Sequence, residues 1–187
     1  MNKEVVFIPK RLPDEIQSQR VFGAPSSEEY LKWVPEVCGI CCLKSTGDTL
    51  GKTRHLSLYD LTMLSLEYGA FKISGDDTIE GIFHKPLLRL ANSLGIGGEV
   101  RRSITEQNLM QAVASGNFVI LSIELRKLKP DLSGSHLLLV YDFDATTSEF
   151  IVHDSAALLS ETGESAHVPV ALLNHLSNNK GLFLWEM

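Results

Sequence analysis

Apolar residues recur at helical spacing through the first half of this chain and give way in the second half to short runs of β formers. Leu58, Leu61, Leu64, Leu66 and Tyr68 fit one buried helix face, and Ser57 followed by Asp60 resembles a capping box at its start. Leu87, Leu90, Ala91 and Leu94 predict a second helix over 86–94. Thr105 can cap another over 106–114, ended by Gly116. Residues 118–125, 136–143, 150–154 and 182–185 are the strand-like runs, with a helix expected over 168–176 before the last of them. Helices first, sheet mostly second and one late helix make an α+β pattern rather than a series of βαβ units.

The 187 residues suit a single domain spanning 1–187, and no repeat or linker divides them. Residues 1–37 read as an irregular covering segment, because Pro9, Pro13, Pro25 and Pro35 break any long helix. The formal net charge of −6 and the scattered basic residues give no footprint for nucleic acid. No run approaches the ~20 apolar residues of a membrane span, and the first dozen residues lack the apolar stretch of a signal peptide. The expectation is a reduced, cytoplasmic, soluble protein. Nothing in the sequence bears on its oligomeric state.

The cysteines narrow this further. All three fall within five positions, at 38, 41 and 42, so they cannot staple distant parts of the chain. No second Cys or His pair stands at metal-ligand spacing, and neither a metal nor a cofactor is expected. In Cys38-Gly39-Ile40-Cys41-Cys42-Leu43 the first cysteine would open a short apolar helix over 38–44, ended near Gly47. There the unpaired N–H groups and the positive end of the helix dipole favour thiolate over thiol. Gly39 would let a substrate or another backbone come close, while Cys41 and Cys42 would turn towards the core. Alone, a Cys-Gly pair ahead of an apolar helix is more often structural than catalytic.

His136 opens an apolar strand directly after Gly134-Ser135, and Asp154 ends the next strand. An odd hairpin loop, such as 145–147, would pair Asp154 with Leu138 and set it one diagonal step from His136 on the same face. An even loop without a bulge would separate them. Brought together, the carboxylate would hold one imidazole nitrogen protonated and leave the other to face a thiol.

The series Cys-Gly-x-x-Cys-Leu, a helical region, Gly-x-His on an apolar strand and a strand ending in Asp resembles the papain-like peptidases that process bacteriocin leaders at double-glycine sites. It is similar above all to their stand-alone relatives without a transporter. Gly81-Ile82-Phe83-His84-Lys85 before a leucine-rich helix, and Leu94-Gly95 after it, fit the same pattern. The resemblance implies a helical lobe packed on a twisted antiparallel sheet, with Cys38 as nucleophile, His136 as base and Asp154 as third member. It implies acyl transfer through a thioester on a peptide, small amide or thioester substrate. Water would make it a peptidase or amidase, and an amine an acyltransferase or cyclase. A non-catalytic peptide-binding domain is the remaining reading. Two departures stand out. The glutamine that such enzymes place about six residues before the cysteine is absent from Leu31-Lys32-Trp33-Val34-Pro35-Glu36-Val37: either Lys32 or Trp33 serves the oxyanion, or catalysis is slow, or the site is no longer hydrolytic. Asp154-Ser155 stands where the family has Asp-Pro. Gly39 and Ser135 would complete the cleft.

Three other signals carry less. Gly47-Asp48-Thr49-Leu50-Gly51-Lys52-Thr53 has three residues between its glycines where a phosphate-binding loop needs four, and reads as a mobile polar loop. Cys38-x-x-Cys41 could be a redox pair, but no βαβ start precedes it. His84, just ahead of a helix, reads as a solvated helix-edge residue, with a place in the cleft wall as the alternative, and Trp185 reads as core. Substrate choice is expected to lie in the loops over 46–56, 71–83 and 126–135.

Overall fold

The computed structural model describes residues 4–75 and 77–187. Met1–Lys3, in the segment read above for a signal, and Asp76, in the loop over 71–83, lie outside the described residues.

The N-terminal segment is not irregular throughout. After an extended stretch come α1 (Glu15–Phe22) and α2 (Ser27–Trp33). Both are short, as the prolines require, yet each is properly capped. Asp14 accepts from the Gln17 N–H at 2.6 Å and Ser26 from the Glu29 N–H at 3.1 Å. Pro13 and Pro25 each sit one residue ahead of the cap, outside the helix, where a proline does no damage.

Next come α3 (Cys38–Thr49), α4 (Leu58–Glu67), a small hairpin of β1 (Lys72–Ile73) and β2 (Ile79–Glu80), and α5 (His84–Ser93). Helix α3 runs past Gly47, because that glycine is buried where a Cβ would strike Thr53. The capping box of Ser57 and Asp60 is present. On α4 the buried positions are Leu58, Leu61, Thr62 and Ser65, with Leu64, Leu66 and Tyr68 only half-buried. Then follow β3 (Ile96–Arg102), α6 (Glu106–Ala114), capped by Thr105, β4 (Phe118–Glu124) and α7 (Leu125–Leu128). The chain closes with β5 (Ser135–Asp144), β6 (Glu149–His153), β7 (Ala166–Pro169), α8 (Val170–Leu176) and β8 (Ser177–Glu186).

Among the described residues six strands form one antiparallel sheet, in the order β3-β8-β4-β5-β6-β7. Alternation along its strands fills two cores. Phe118, Ile120, Leu137, Leu139, Leu182 and Leu184 pack with the residues of α3, α4 and α5. Val119, Leu121, Leu138, Val140, Val152 and Phe183 pack with those of α6 and α8 on the other side. Helix α3 therefore lies against the centre of the sheet, with its N-terminus near the start of β5. Among the described residues no helix is long and apolar enough to cross a membrane.

Candidate active site

Helix α3 begins at Cys38, so the sulfur sits in the first turn, where the backbone N–H groups have no helical acceptor. Cys38 is half-buried, whereas Cys41 and Cys42, one turn on, are buried. All three are free thiols. The Cys42 Sγ donates to the Leu137 carbonyl at 3.5 Å, which ties α3 to β5. Gly39 is buried in the same contact. A Cβ there would lie 2.6 Å from Leu137 and 2.9 Å from Ile82, so this glycine serves close helix–strand packing rather than substrate approach.

His136 and Asp154 meet by a different route from the one the loop length suggests. The β5–β6 register begins with Asp144 opposite Glu149, which leaves an even turn of four residues, 145–148. A bulge between Val140 and Asp142 then shifts the ladder by one, so that Leu139 faces His153. Continued one step, this places Asp154 opposite Leu138, and its Oδ1 lies 2.7 Å from His136 Nε2. Both side chains are buried, with Asp154 closed off from solvent.

The electrostatics follow from this packing. Burial alone would lower the His136 pKa, but its bonds to Asp154 and Cys38 outweigh that and raise it to about 9. Burial likewise opposes the Cys38 thiolate. The His136 hydrogen bond and charge, the Leu137 N–H and the Lys10 charge nonetheless bring its pKa below the ordinary thiol value. Cys41 is pushed the other way, up to about 12, by burial and then by the neighbouring Cys38 charge. With Nε2 taken by Asp154, Nδ1 is the nitrogen left for sulfur. These shifts favour a thiolate at Cys38 and oppose one at Cys41 and Cys42.

Cys38 and His136 open onto a cleft of about 550 Å³ that is also lined by Lys10, Ile82, His84, Ser135 and Asn178. Ser135, proposed from sequence, is there and exposed. Lys32 and Trp33 are not among the lining residues. Trp33 is buried, its Nε1 donating to Glu29 Oε2 at 3.0 Å and its ring set edge-on against Phe71. Lys32 is exposed on α2, near the Trp33 ring. Both oxyanion candidates are thus corrected: the helix that carries them turns the indole into the core. Of the three loops expected to shape the cleft, 71–83 and 126–135 contribute Gly81, Ile82, Leu132 and Ser135. The loop over 46–56 contributes none, and it is pinned rather than mobile. Asp48 accepts from Lys44 at 2.8 Å and from Thr53 Oγ1 at 2.7 Å, all three side chains being largely buried.

Lys10 escaped the sequence reading. The extended N-terminal stretch is laid along the site by bonds from His153 Nε2 to the Val5 carbonyl (3.0 Å), from Val6 N–H to Thr49 Oγ1 (3.0 Å) and from Lys10 N–H to the Ser155 carbonyl (2.9 Å). The Lys10 ammonium then donates to the Pro35 carbonyl beside α3. A lysine 28 positions before the cysteine has no spacing signal. His84 lines the cleft too, half-buried, with no partner for its Nε2 among the described residues.

No family model matches the sequence, and no curated protein matches it. Solved structures do. The peptidase domain of Streptococcus ComA, a bi-functional ABC transporter involved in a quorum-sensing pathway, matches with a TM-score of 0.58 at 16% identity, over 82% of this chain and 93% of that one. A double-glycine-motif protease from an AMS/PCAT transporter, solved with its leader peptide, matches with a TM-score of 0.55 at 13% identity, over 99% of this chain and 94% of that one. The chain therefore has the papain-like fold of the peptidase domains of these transporters, the group its sequence resembles.

Proposed function

We propose that the protein is a cysteine peptidase or amidase working through an acyl-enzyme thioester. One observation carries the reading: Cys38 in the first turn of α3 and His136 line one cleft, and the buried Asp154 carboxylate holds the His136 Nε2 at 2.7 Å. The Cys38 thiolate attacks the carbonyl carbon of a peptide or amide bond, and its sulfur becomes the thioester. His136 gives its proton to the departing amine, then takes one from the water that resolves the thioester. Asp154 holds the imidazole in the orientation and tautomer both steps need. The N–H groups at the start of α3 can donate to the tetrahedral oxyanion, and Lys10, which lines the same cleft, adds a positive charge.

A second reading keeps the same chemistry but resolves the thioester with an amine, giving an acyltransferase or cyclase. It is favoured by the missing glutamine, since neither Lys32 nor Trp33 lines the cleft. Product masses separate the two after incubation with double-glycine leader peptides. A fragment released with water added is hydrolysis, and joining or ring closure is transfer. No product from any peptide, with Cys38 titrating as an ordinary thiol, would leave a peptide-binding domain.

A further inference from the structure

Past Ile82, His84 and Lys180 the cleft continues into a second groove of about 480 Å³. Its walls carry Lys85, Arg89, Arg101, Arg102 and Lys180, all exposed, in a chain whose net charge is −6. No Asp or Glu lines it among the described residues. Arg89 donates to the Tyr68 carbonyl and Arg101 pairs with Glu99, while Lys85, Arg102 and Lys180 form no ion pair among the described residues.

Two features make this more than a solvated basic surface. Arg102 on β3 and Lys180 on β8 are direct cross-strand partners. Like charges at facing positions destabilise a sheet unless an anion lies between them. Burial lowers the pKa of the neighbouring His84, and the charges of Lys180 and Arg102 add to that. The groove further takes in the first turn of α5, whose N-cap, Phe83, offers no side-chain acceptor to the helix's leading N–H groups. The cations are spread over α5, β3 and β8 and interleaved with Ile82, Phe83 and Val100. That distribution suits an extended chain bearing several carboxylates better than one compact phosphate, whose donors would converge.

We infer that this groove binds an acidic segment of the peptide substrate, so that the enzyme selects peptides with carboxylates displaced from the bond at Cys38. The inference rests on the peptidase reading for the word substrate, but its test does not depend on turnover. Fluorescein-labelled dodecapeptides of alternating Glu and Leu, or of alternating Gln and Leu, are titrated against the Cys38→Ala protein by anisotropy. The Glu peptide is expected to bind ~10-fold tighter or better, with affinity falling as salt rises from about 50 to 500 mM. The double variant Arg102→Gln/Lys180→Gln, made also with Cys38 intact, should lose that preference. It should keep the wild-type melting temperature or exceed it, and leave the alkylation rate of Cys38 unchanged. Equal binding of the two peptides, or a Glu preference that survives the double substitution, overturns the inference. So does displacement of the Glu peptide by millimolar inorganic phosphate at constant ionic strength, which would reassign the groove to a phosphate ligand. A protein that binds the Glu peptide selectively yet cleaves nothing would count against the peptidase reading alone.

Discussion

His136 Nε2 lies 2.7 Å from Asp154 Oδ1, and the same carboxylate accepts from the backbone N–H groups of Ala156 (3.1 Å), Leu158 (2.6 Å) and Leu159 (3.0 Å). One buried side chain thus orients the imidazole and folds the turn after β6. Burial works against its charge, and His136 together with these donors more than offsets it, so the Asp154 pKa lies below the usual carboxylate range.

Replacing Asp154 should therefore cost structure as well as chemistry. Asp154→Ala is expected to destabilise the fold by ~3–5 kcal/mol, the scale for breaking a buried charged network, whereas Asp154→Asn should fold better and still lose most turnover. A depressed folded-state pKa contributes stability in full above the unfolded value, near 4, and loses it as pH falls through the folded value. Urea midpoints from pH 7 downwards should fall below about pH 4 in the native protein, and less steeply in Asp154→Asn. Identical slopes would mean the carboxylate is not charged as described.

The proposed chemistry predicts a pH window for activity, set by a thiolate–imidazolium pair. It forms as pH rises through the lowered Cys38 pKa and is lost as His136 deprotonates at about 9. The profile of kcat/KM should rise on the acid side below the usual thiol pKa of ~8.5 and fall near the His136 value. Alkylation by iodoacetamide, read in a Cys41→Ala/Cys42→Ala background, should share the acid limb. His136→Ala should move that limb up towards the free-thiol value and abolish turnover.

Selectivity within the cysteine cluster gives a third prediction. Cys41 and Cys42 are buried, with pKa values raised, so only Cys38 should alkylate in the folded protein. Cys38→Ala should end turnover, while Cys41→Ala and Cys42→Ala should each cost ~1 kcal/mol as small core truncations and keep the chemistry. A folded, inactive Cys41→Ala protein would instead point to a Cys38–Cys41 redox pair.

The positions of Cys38, His136 and Asp154 were readable because each sits at the end of an element with a clear apolar pattern. What joins two of them was not. The bulge near Tyr141 has no residue signature, yet without it the even turn would set His136 and Asp154 on opposite faces. Strand β3 hid behind Gly97 and Gly98, which resemble a turn. They are glycines because a Cβ would strike the Trp185 indole at one and the Phe183 carbonyl at the other. Helices α1 and α2 hid behind prolines that lie just outside their caps. Strand β7, four residues long, merged in sequence with the helix that follows it.

Lys10 is testable apart from the triad. Its ammonium favours the Cys38 thiolate through space and stands in the cleft. Lys10→Met should raise the alkylation midpoint of Cys38 and reduce kcat by ~10-fold or more, with a smaller change in KM, as loss of transition-state electrostatics does. Lys10→Arg should recover most of the midpoint. A change confined to KM would make Lys10 a substrate-binding residue instead.

Gly163 supplies the last prediction, at a position with no chemistry of its own. Its φ of +74° is one that side-chain-bearing residues rarely adopt. A Cβ built there would fall 1.9 Å from the Asp154 carbonyl oxygen, an impossible contact with backbone that cannot swing aside. The two residues are already joined, the Asp154 N–H donating to the Gly163 carbonyl at 2.8 Å. Gly163→Ala must therefore push away the segment that fixes the Asp154 backbone, and the carboxylate moves with it. The expected cost is ~1–3 kcal/mol of stability from backbone strain, together with a fall in kcat close to that of Asp154→Asn. Gly116 has the same handedness, with φ +78°, and among the described residues nothing lies within 4 Å of where a Cβ would stand, so it serves as the control. Gly116→Ala should lose stability through strain alone and keep full activity. Equal activity in the two variants would show that the Asp154 segment does not depend on the contact with Gly163.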